Sequence, residues 1–336
     1  MKTEIGTDVE KASQYLKKGD LVAIPTETVY GLAANALNEQ AVAKVFEAKN
    51  RPFFDPLIIH VANIDSIRKY VLELPAEAEK LFETFSPGPL TILLPKNELI
   101  SDVVTAGSSL VAIRIPNHPL ALQVLEEIDF PLAAPSANPF GYVSPTTATH
   151  VLDNLGGKIP YILDGGACKV GVESTIVGVE NGVWKLYRQG GIPQEDIEAI
   201  TGKLGQPDES PLKEAPGMLD SHYAPKKGLI LGDLAILANF NRGKKIGFIC
   251  FQNSPIGMYE KSITIILSPK GSLQEAATKL FASLRLLDLS DVDIIISELV
   301  PNEGIGRAIN DRLKRASAKR PPFDSIEELE KVPIRN

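Results

Sequence analysis

Short apolar runs alternate with stretches of helical periodicity along this chain, and that alternation constrains the fold more than any other feature. Residues 21–25, 57–61 and 110–115 have the length and the apolar content of buried strands. Residues 41–49 and 76–85 instead carry apolar side chains at helical spacing. An alternation of strands and helices predicts an α/β protein.

Further segments complete the first half of the pattern. Strand-like runs lie at residues 90–94, 132–134, 174–179 and 183–187, and helical patterns at 64–70, 119–128 and 147–155. The last two strands flank Glu180-Asn181-Gly182, which is typical of the turn in an antiparallel hairpin. Because the alternation with helices favours parallel neighbours elsewhere, we expect a sheet with both parallel and antiparallel strands.

Residues 203–225 interrupt this pattern. Their sequence is rich in proline and charge and has no steady period, which is typical of an interdomain linker or of a long surface loop. Residues 226–336 carry 17 basic and 13 acidic side chains, whereas residues 1–225 carry 18 and 29. This asymmetry favours two domains, at residues 1–202 and 226–336, joined by the linker.

The alternation restarts after the linker. Strand-like runs lie at residues 228–231, 246–250, 263–267 and 292–297, and helical patterns at 273–287 and 306–316. Strands that alternate with helices in this way are typical of a small parallel sheet. We therefore expect a smaller, Rossmann-like second domain.

Composition excludes several classes of protein. Two cysteines and four dispersed histidines support neither a disulfide framework nor a zinc site. The charged N-terminus and the absence of an apolar run of about 18 residues predict neither a secretory signal nor a membrane span. The formal net charge of −7 disfavours a protein that mainly grips a nucleic acid backbone. We expect a cytoplasmic protein.

Polar residues follow several of the predicted strands. The sequence PTETVYGL at 25–32 is either a ligand site at a strand end or a turn in which threonine hydroxyls cap a helix. In APSAN at 134–138, Ser136 and Asn138 offer hydrogen bonds to a ligand, although a proline-rich turn is the alternative. Ser144 follows shortly afterwards.

Four cations stand beside these polar segments. Lys49 and Arg51 lie where a predicted helix ends. Their positive charges either stabilise the C-terminal end of the helix dipole or bind phosphates. Arg114 lies on an apolar strand and requires a partner or a pocket, and Arg188 follows the last strand. His60 also lies on an apolar strand, where a core position is the first interpretation. This set favours a pocket for a small polyanion.

Two common nucleotide or nucleophile motifs are missing from the sequence. It contains neither a G-x-S-x-G nucleophile elbow nor a G-x-x-x-x-G-K-[ST] phosphate loop. Gly304-Ile305-Gly306 is too short to be a dinucleotide fingerprint. Composition and spacing alone therefore lead no further than a polyanion pocket.

The ordered motifs resemble the YrdC-like family and, within it, the two-domain threonylcarbamoyl-AMP synthases. The resemblance rests on PTETVYGL (25–32), KNRPFFDPL (49–57), VAIRIPNHP (111–119), APSAN (134–138), SPT (144–146), ESTIV (173–177), YRQG (187–190), HYAP (222–225) and GIGRAINDRLKRAS (304–317). It implies a twisted mixed sheet with a concave cleft, followed by the smaller Rossmann-like domain. It also implies that the linker acts as a lid.

The resemblance implies the synthesis of L-threonylcarbamoyl-AMP and pyrophosphate from L-threonine, bicarbonate and ATP, with Mg²⁺ carried by the ATP phosphates. A separate transferase would use the product to form threonylcarbamoyladenosine in tRNA, so no stable direct tRNA binding is expected. Lys49 and Arg51 would stabilise charge, with no general base assigned. The positions that match ATP-binding residues of the family are Lys49, Arg51, Asp55, Leu110, Ser136, Ser144, Arg188 and Tyr223. Those that match threonine-binding residues are Thr28, His60, Arg114, Ala134 and Ser174.

Three positions depart from the family pattern. Asp55 replaces the usual Asn and places a negative charge near phosphates, and Leu110 replaces a frequent Thr, so that only its backbone could contact ATP. The linker lacks the basic residues that some members carry before HYAP.

Two other functions remain as alternatives. The six Lys and Arg residues at 307–320 suit an RNA-binding module, although a solvated helix face is the simpler interpretation. A related carbamoyl-adenylate enzyme, like part of the hydrogenase maturation factors, would carry acylphosphatase-like and zinc-finger segments that this sequence does not contain.

Overall fold

The computed structural model describes residues 1–53, 55–207, 223–254 and 262–318. The chain divides into two compact units, Met1–Phe140 with Ser144–Met218 and Gly141–Val143 with Leu219–Asn336. Three residues thus fold with the second unit although the chain on both sides of them belongs to the first. Most of the predicted linker and lid, residues 208–222, lies outside the described residues, and the domain limits at 202 and 226 stay a prediction.

In the described part of the first unit, ten strands form one mixed sheet. They are β1 (Glu4–Gly6), β2 (Val22–Ile24), β3 (Gly31–Asn35), β4 (Ile58–His60), β5 (Leu90–Pro95), β6 (Leu110–Arg114), β7 (Leu132–Ala133), β8 (Tyr161–Leu163), β9 (Thr175–Glu180) and β10 (Val183–Arg188). Their order across the sheet is β1-β8-β2-β3-β7-β4-β6-β5-β9-β10. The pairs β1–β8, β2–β8, β4–β6 and β5–β9 are parallel and the others antiparallel, which confirms the predicted mixed sheet.

Helices of the first unit begin mostly at polar capping residues. They are α1 (Val9–Lys17), α2 (Glu39–Lys49), α3 (Ile64–Ile67), α4 (Ala76–Phe85), α5 (Asp102–Thr105), α6 (Pro119–Glu127), α7 (Ala148–Leu155) and α8 (Gln194–Thr201). The side chain of Asn38 accepts hydrogen bonds from two backbone N–H groups at the start of α2. Asn50 ends α2 in the left-handed conformation, with φ +51°. The chain therefore turns sharply between Lys49 and Arg51.

The two faces of the central strands differ in character. Ile59, Ile92, Ile113 and Val177 belong to the main hydrophobic core, which also takes in buried residues of α2, α4 and α8. Successive side chains on a strand point to opposite faces. The neighbours of these residues along each strand therefore lie on the other face, where a smaller apolar cluster gives way to polar side chains.

In the described part of the second unit, four parallel strands form a separate sheet in the order β11-β14-β12-β13. Its elements are β11 (Gly228–Leu231), α9 (Leu234–Phe240), β12 (Ile246–Cys250), β13 (Ile263–Ile266), α10 (Leu273–Leu289), β14 (Ile294–Ser297) and α11 (Gly306–Ser317). The predicted small parallel α/β domain is confirmed. The basic stretch that begins at Arg307 is not a uniformly solvated helix face, because Arg312 of α11 is buried. Its Nη1 lies 2.5 Å from Asp311 Oδ2.

Some elements differ from the predicted ones. The sequence pattern missed β3, which begins inside the polar motif at Gly31 and contains one glycine, two alanines and one asparagine among its five residues, all of low strand propensity. It also missed α1, whose buried positions are only Ala12, Ser13 and Leu16. The predicted helix at 64–70 is only the single turn α3, because a turn at residues 68–70 follows it.

Candidate active site

Charged and histidine side chains are concentrated in the interior of the first unit. Among its described residues, those less than a tenth exposed are Glu27, Lys49, Arg51, Asp55, His60, Arg114, Glu173 and Arg188. Burying a charge costs free energy unless partners compensate it. A protein tolerates so many buried charges where function requires them, and the group therefore defines the candidate active site.

The sheet register brings His60 and Arg114 together. His60 ends β4, Arg114 ends β6, and the two residues are direct partners in the parallel ladder. Their chain neighbours Ile59 and Ile113 belong to the main core. His60 and Arg114 therefore lie side by side on the opposite face of the sheet.

Ser174 and Arg188 continue this polar face on the next strands. Ser174 precedes β9, and its hydroxyl oxygen lies 2.7 Å from that of Thr91 on β5. Arg188 donates from Nε to the Ser174 carbonyl and from Nη2 to the Ser174 hydroxyl, both at 3.0 Å. An irregularity in the β9–β10 ladder between Leu186 and Arg188 shifts Arg188 opposite Ile176. That shift turns Arg188 towards Ser174.

Arg114 forms a buried ion pair with Glu27, which lies in the loop between β2 and β3. Arg114 Nη2 is 2.7 Å from Glu27 Oε1, and Arg114 Nε donates to the Gly88 carbonyl at 3.3 Å. The other carboxylate oxygen of Glu27 accepts from the backbone N–H of Asn117 at 3.1 Å. The ion-paired atoms, Arg114 Nη2 and Glu27 Oε1, do not have hydrogen-bond geometry with any described residue. The pair therefore provides charge balance while leaving hydrogen-bonding capacity for a ligand.

His60 is buried with one ring nitrogen unsatisfied. Its Nδ1 makes no hydrogen bond within the described part of the chain. Burial first, and the nearby Arg114 charge second, lower the pKa of His60 to about 3, so the ring is neutral near pH 7. An unsatisfied buried polar atom is costly and uncommon in folded proteins. The structure thus favours a ligand contact over a purely structural core histidine.

Lys49 lies in the last turn of α2 and is fully buried. Its ammonium group donates to the backbone carbonyls of Ser136 and Asn138, within the APSAN motif. Burial, and then the charge of Arg51, hold the pKa of Lys49 well below its ordinary value, while Asp55 opposes the effect. An anion such as a phosphate would favour the protonated form of this amine.

Arg51 is fixed by the segment that follows it. Its Nη2 is 2.9 Å from Asp55 Oδ2 in a buried ion pair and donates to the Pro56 carbonyl at 2.8 Å, while its Nε donates to the Asp55 carbonyl at 3.2 Å. Burial raises the pKa of Asp55, whereas the cations Arg51, Lys49 and Arg188 lower it. The departure from asparagine thus has nearby cations that compensate its charge.

The polar loops pack against one another through backbone hydrogen bonds. The Tyr30 N–H donates to the Pro145 carbonyl at 2.9 Å, and the Ala137 N–H donates to the Tyr30 carbonyl at 2.8 Å. At Gly31 a Cβ would lie 3.2 Å from the Ala134 side chain, so a larger residue there would crowd this junction. The motifs at 25–32, 134–138 and 144–146 thus form one connected surface.

The remaining residues that were predicted to bind threonine or ATP lie in different parts of the structure. Thr28 is buried, with its hydroxyl oxygen 2.8 Å from that of Thr26, and Ser144 donates to Glu173 Oε1 at 2.6 Å. Leu110 begins β6, at the far end of that strand from Arg114. Tyr223 lies in the second unit, where it stacks on Phe281 with ring centroids 5.6 Å apart. The ligand roles of all these residues stay predictions.

Three polar residues of the site were not assigned from the sequence. They are Glu27, Thr91 and Glu173, which respectively pair with Arg114, contact Ser174 and accept from Ser144. Glu27 and Glu173 stand inside the PTETVYGL and ESTIV motifs, so their positions were a usable signal. Thr91 lies in an apolar strand and carried no such signal.

In the described part of the first unit, buried cations, carboxylates and hydroxyls line one face of a mixed α/β sheet, and such a cluster is typical of enzymes that act on small charged ligands. Comparisons with known proteins identify the family. The Sua5/YciO/YrdC model, described as "Telomere recombination", matches residues 14–190, and the model "Threonylcarbamoyl-AMP synthase, C-terminal domain" matches residues 192–318. The chain therefore belongs to the Sua5/YciO/YrdC family and carries the C-terminal domain of threonylcarbamoyl-AMP synthases.

Relatives match over nearly the whole chain. The threonylcarbamoyl-AMP synthase of Pyrococcus abyssi is 41% identical, with 92% of this chain and 94% of the relative covered. That of Bacillus subtilis is 39% identical, with 93% of each covered. The crystal structure of P. abyssi Sua5 complexed with L-threonine matches with a TM-score of 0.87 at 39% identity, covering 95% of this chain and 98% of that one. The predicted fold class is thus confirmed.

The described residues contain no helix of sufficient length and apolar character to cross a membrane.

Proposed function

We propose that this chain is a nucleotidyltransferase that converts L-threonine, bicarbonate and ATP into L-threonylcarbamoyl-AMP and pyrophosphate. Relatives that are named for this product and match over nearly the full length support the proposal. The observation in this chain that carries it is the pairing of His60 with Arg114 on one buried face. A neutral imidazole and a guanidinium with unsatisfied polar atoms suit a ligand with a hydroxyl and a carboxylate, which threonine has.

The threonine site is proposed at the ends of β4 and β6. Arg114 would bind the substrate carboxylate, because a guanidinium matches a carboxylate in charge and planar geometry. His60 and Thr28 would contact the hydroxyl. Ser174 and the backbone at Ala134 would complete the pocket beside them.

The ATP site is proposed around Lys49, Arg51 and Arg188. These buried cations lie within electrostatic reach of the same carboxylate, Asp55, and would neutralise the phosphate charges. Ser136 and Ser144 would supply polar contacts from the adjoining loops. Contacts of Leu110 and Tyr223 with the nucleotide are part of the same proposal.

The chemistry divides into two bond-forming steps. The threonine nitrogen bonds to the bicarbonate carbon with loss of water, which yields a carbamate. A carbamate oxygen then attacks the α-phosphorus of ATP, the bond to the bridging oxygen breaks, and pyrophosphate leaves. Because both partners are anionic, the protein must align them and neutralise charge. Lys49 and Arg51 therefore act by charge stabilisation, and no covalent intermediate or general base is required.

Mg²⁺ would enter with the nucleotide. Among the described residues, no group of three or more His, Cys, Asp or Glu side chains is arranged to hold a metal ion. Magnesium in nucleotide sites is commonly held by phosphates, water and one or two carboxylates. We therefore assign it to the ATP phosphates, where it would offset charge developing on the departing pyrophosphate.

The cellular setting follows from the product. A mixed anhydride of this kind is readily hydrolysed, so the site would have to exclude water while the product is bound. A separate transferase would then pass the threonylcarbamoyl group to tRNA. We place the enzyme in the cytoplasm, without stable tRNA binding of its own.

Pyrophosphate release from MgATP tests the proposed function. The full chain is assayed with bicarbonate and L-threonine, then without either one, and then with L-serine in place of threonine. Release that requires threonine and bicarbonate together is the expected result. Release without threonine would contradict the proposal. No release from folded protein, together with salt-dependent RNA affinity, would favour the RNA-binding alternative.

A further inference from the structure

We propose that one face of α10 positions the ATP site by holding the segment Gly141–Val143. We call Phe281, Arg285 and Asp288 the α10 clamp. These residues are spaced by four and then three positions, so they lie on one face of the helix. The inference rests on the proposed function, because it assigns the second unit a role in binding the nucleotide.

The clamped segment has a special place in the chain. It is the one part of the second unit that interrupts the first, and it lies between Asn138 and Ser144. The Asn138 carbonyl accepts from Lys49, and the Ser144 hydroxyl donates to Glu173. The position of this segment therefore fixes the covalent path between two parts of the proposed ATP site.

Two clamp residues hold the segment directly. The Tyr142 hydroxyl donates to Asp288 Oδ2 at 2.7 Å. The guanidinium of Arg285 lies 4.9 Å from the centre of the Tyr142 ring and donates from Nη2 to the Val143 carbonyl. These contacts hold the side chain of Tyr142 and the backbone carbonyl of Val143, the residue just before Ser144.

The same helix face also holds the far end of the linker. Tyr223 stacks on Phe281, and the backbone N–H of Lys227 donates to Asp288 Oδ1 at 2.9 Å. The two held segments also bond to each other, because the Ala224 N–H donates to the Gly141 carbonyl at 2.9 Å. The Asp288 carboxylate thus accepts two hydrogen bonds. Oδ2 accepts from Tyr142 in the segment, and Oδ1 accepts from Lys227, which follows the linker.

Burial shows that this is an interior arrangement rather than a surface contact. Arg285 and Asp288 are only 3% and 7% exposed. An interior cation and carboxylate with directed hydrogen bonds specify one backbone geometry more strictly than apolar packing does. Loosening the clamp should therefore displace Ser144 and weaken ATP binding, while the threonine residues on β4 and β6 keep their positions.

Calorimetric titration of the full chain tests this inference, with MgATP and L-threonine in separate experiments. Tyr142→Phe removes only the hydroxyl, and Asp288→Ala removes both acceptors. Loss of one hydrogen bond of this kind predicts an ATP Kd raised about threefold to tenfold, and a larger rise for Asp288→Ala. The threonine Kd should stay within about twofold of wild type. Asp291→Asn is the matched control, since Asp291 in the same unit forms an exposed pair with Lys245.

The other possible results would either contradict the α10 clamp or separate it from the proposed function. An unchanged ATP Kd in folded Tyr142→Phe and Asp288→Ala would overturn it. An equal rise for ATP and threonine would also overturn it, because it would show a general loss of structure. If wild type binds ATP but releases no pyrophosphate with threonine and bicarbonate, the proposed function fails, whereas the raised ATP Kd of the variants still supports the clamp. No ATP binding by folded wild type would overturn both.

Discussion

Arg114 and Glu27 form an ion pair in the interior of the first unit, with Nη2 and Oε1 2.7 Å apart and both side chains almost fully buried. The two residues are 87 positions apart in the chain. A second long-range contact holds Glu27, because its carboxylate accepts from the backbone N–H of Asn117, 90 positions away. Within this site Arg114 has a resident counter-charge. In the proposed threonine complex the substrate carboxylate would therefore share the Arg114 guanidinium with Glu27 or displace the Glu27 carboxylate from it.

Glu27→Gln should lower the free energy of unfolding and should increase the stabilisation that bound threonine provides. The change leaves a buried guanidinium without its counter-charge, which costs about 3 kcal/mol of unfolding free energy. In the proposed complex L-threonine would supply a carboxylate at the same place, so its stabilising effect should be larger in the variant than in wild type. Urea unfolding with and without threonine measures both quantities.

The matched control is Glu79→Gln, which removes the carboxylate of an exposed pair with Arg68. Its unfolding free energy should change by less than about 1 kcal/mol. A threonine effect in Glu27→Gln no larger than in wild type would contradict the placement of the substrate carboxylate.

His60 should make the protein less stable as pH falls below about 6.5. Its folded pKa, about 3, is lower than the value of 6.5 that it has when exposed. Between these two values the unfolded chain binds more protons than the folded one, so stability rises with pH by up to about 1.4 kcal/mol per unit. Replacement by Gln should remove this contribution from the slope measured between pH 5 and pH 6.5.

His118→Gln serves as the comparison for that experiment. The pKa of His118 is also lowered, with burial as the main cause, but its ring is less buried and hydrogen-bonds the Gly165 carbonyl. Its contribution to the slope should be smaller. An unchanged slope in His60→Gln would show that His60 titrates as an exposed histidine does.

Arg51→Ala should abolish synthesis through the loss of ATP binding. The guanidinium faces Asp55 in the proposed phosphate site, and charged hydrogen bonds to phosphate are among the strongest in proteins. We expect the KM for ATP to rise at least about 100-fold, with the Kd for threonine nearly unchanged. Steady-state pyrophosphate release and threonine titration measure the two effects.

Arg68→Ala is the control for the loss of a guanidinium, because Arg68 forms an exposed pair with Glu79 outside the proposed site. Its kinetic constants should equal those of wild type. Wild-type pyrophosphate release by Arg51→Ala would sink the assignment of the phosphate site.

Asp55→Asn should strengthen ATP binding. Burial already raises the pKa of this carboxyl, which shows that its charge is costly where it stands. The amide keeps the shape of the side chain and removes a negative charge from the proposed phosphate site, so the KM for ATP should fall about threefold or more. Pyrophosphate release at varied ATP concentration measures the change. A raised KM would mean that the Asp55 charge is needed to orient Arg51.

Much of the architecture follows from local sequence patterns. The limits of α4 and of β11 and β12 coincide with the predicted ones, and Asn181 and Gly182 have the positive φ values of a tight hairpin turn. Strong periodicity and turn chemistry encode such elements locally. By contrast, β3 is alanine-rich, and it becomes a strand because it pairs with β2 and β7.

The site was predictable as a set of residues but not as a set of contacts. The sequence analysis assigned Arg114 to the site but gave Glu27 no role, because the pairing of the two residues depends on tertiary packing. The ladder irregularity that turns Arg188 towards Ser174 has no local sequence signal. The grouping of Gly141–Val143 with the second unit likewise depends on Asp288, which lies 146 residues beyond Tyr142.

Calorimetric titration of L-threonine into wild type, Arg114→Ala and Arg68→Ala tests whether Arg114 binds the substrate carboxylate. We expect wild type and Arg68→Ala to bind threonine alike. Binding should be at least about 100-fold weaker in folded Arg114→Ala, since a buried cation that pairs with a carboxylate contributes several kcal/mol. Equal threonine affinity in all three proteins would contradict the placement of the substrate on the polar face of the sheet.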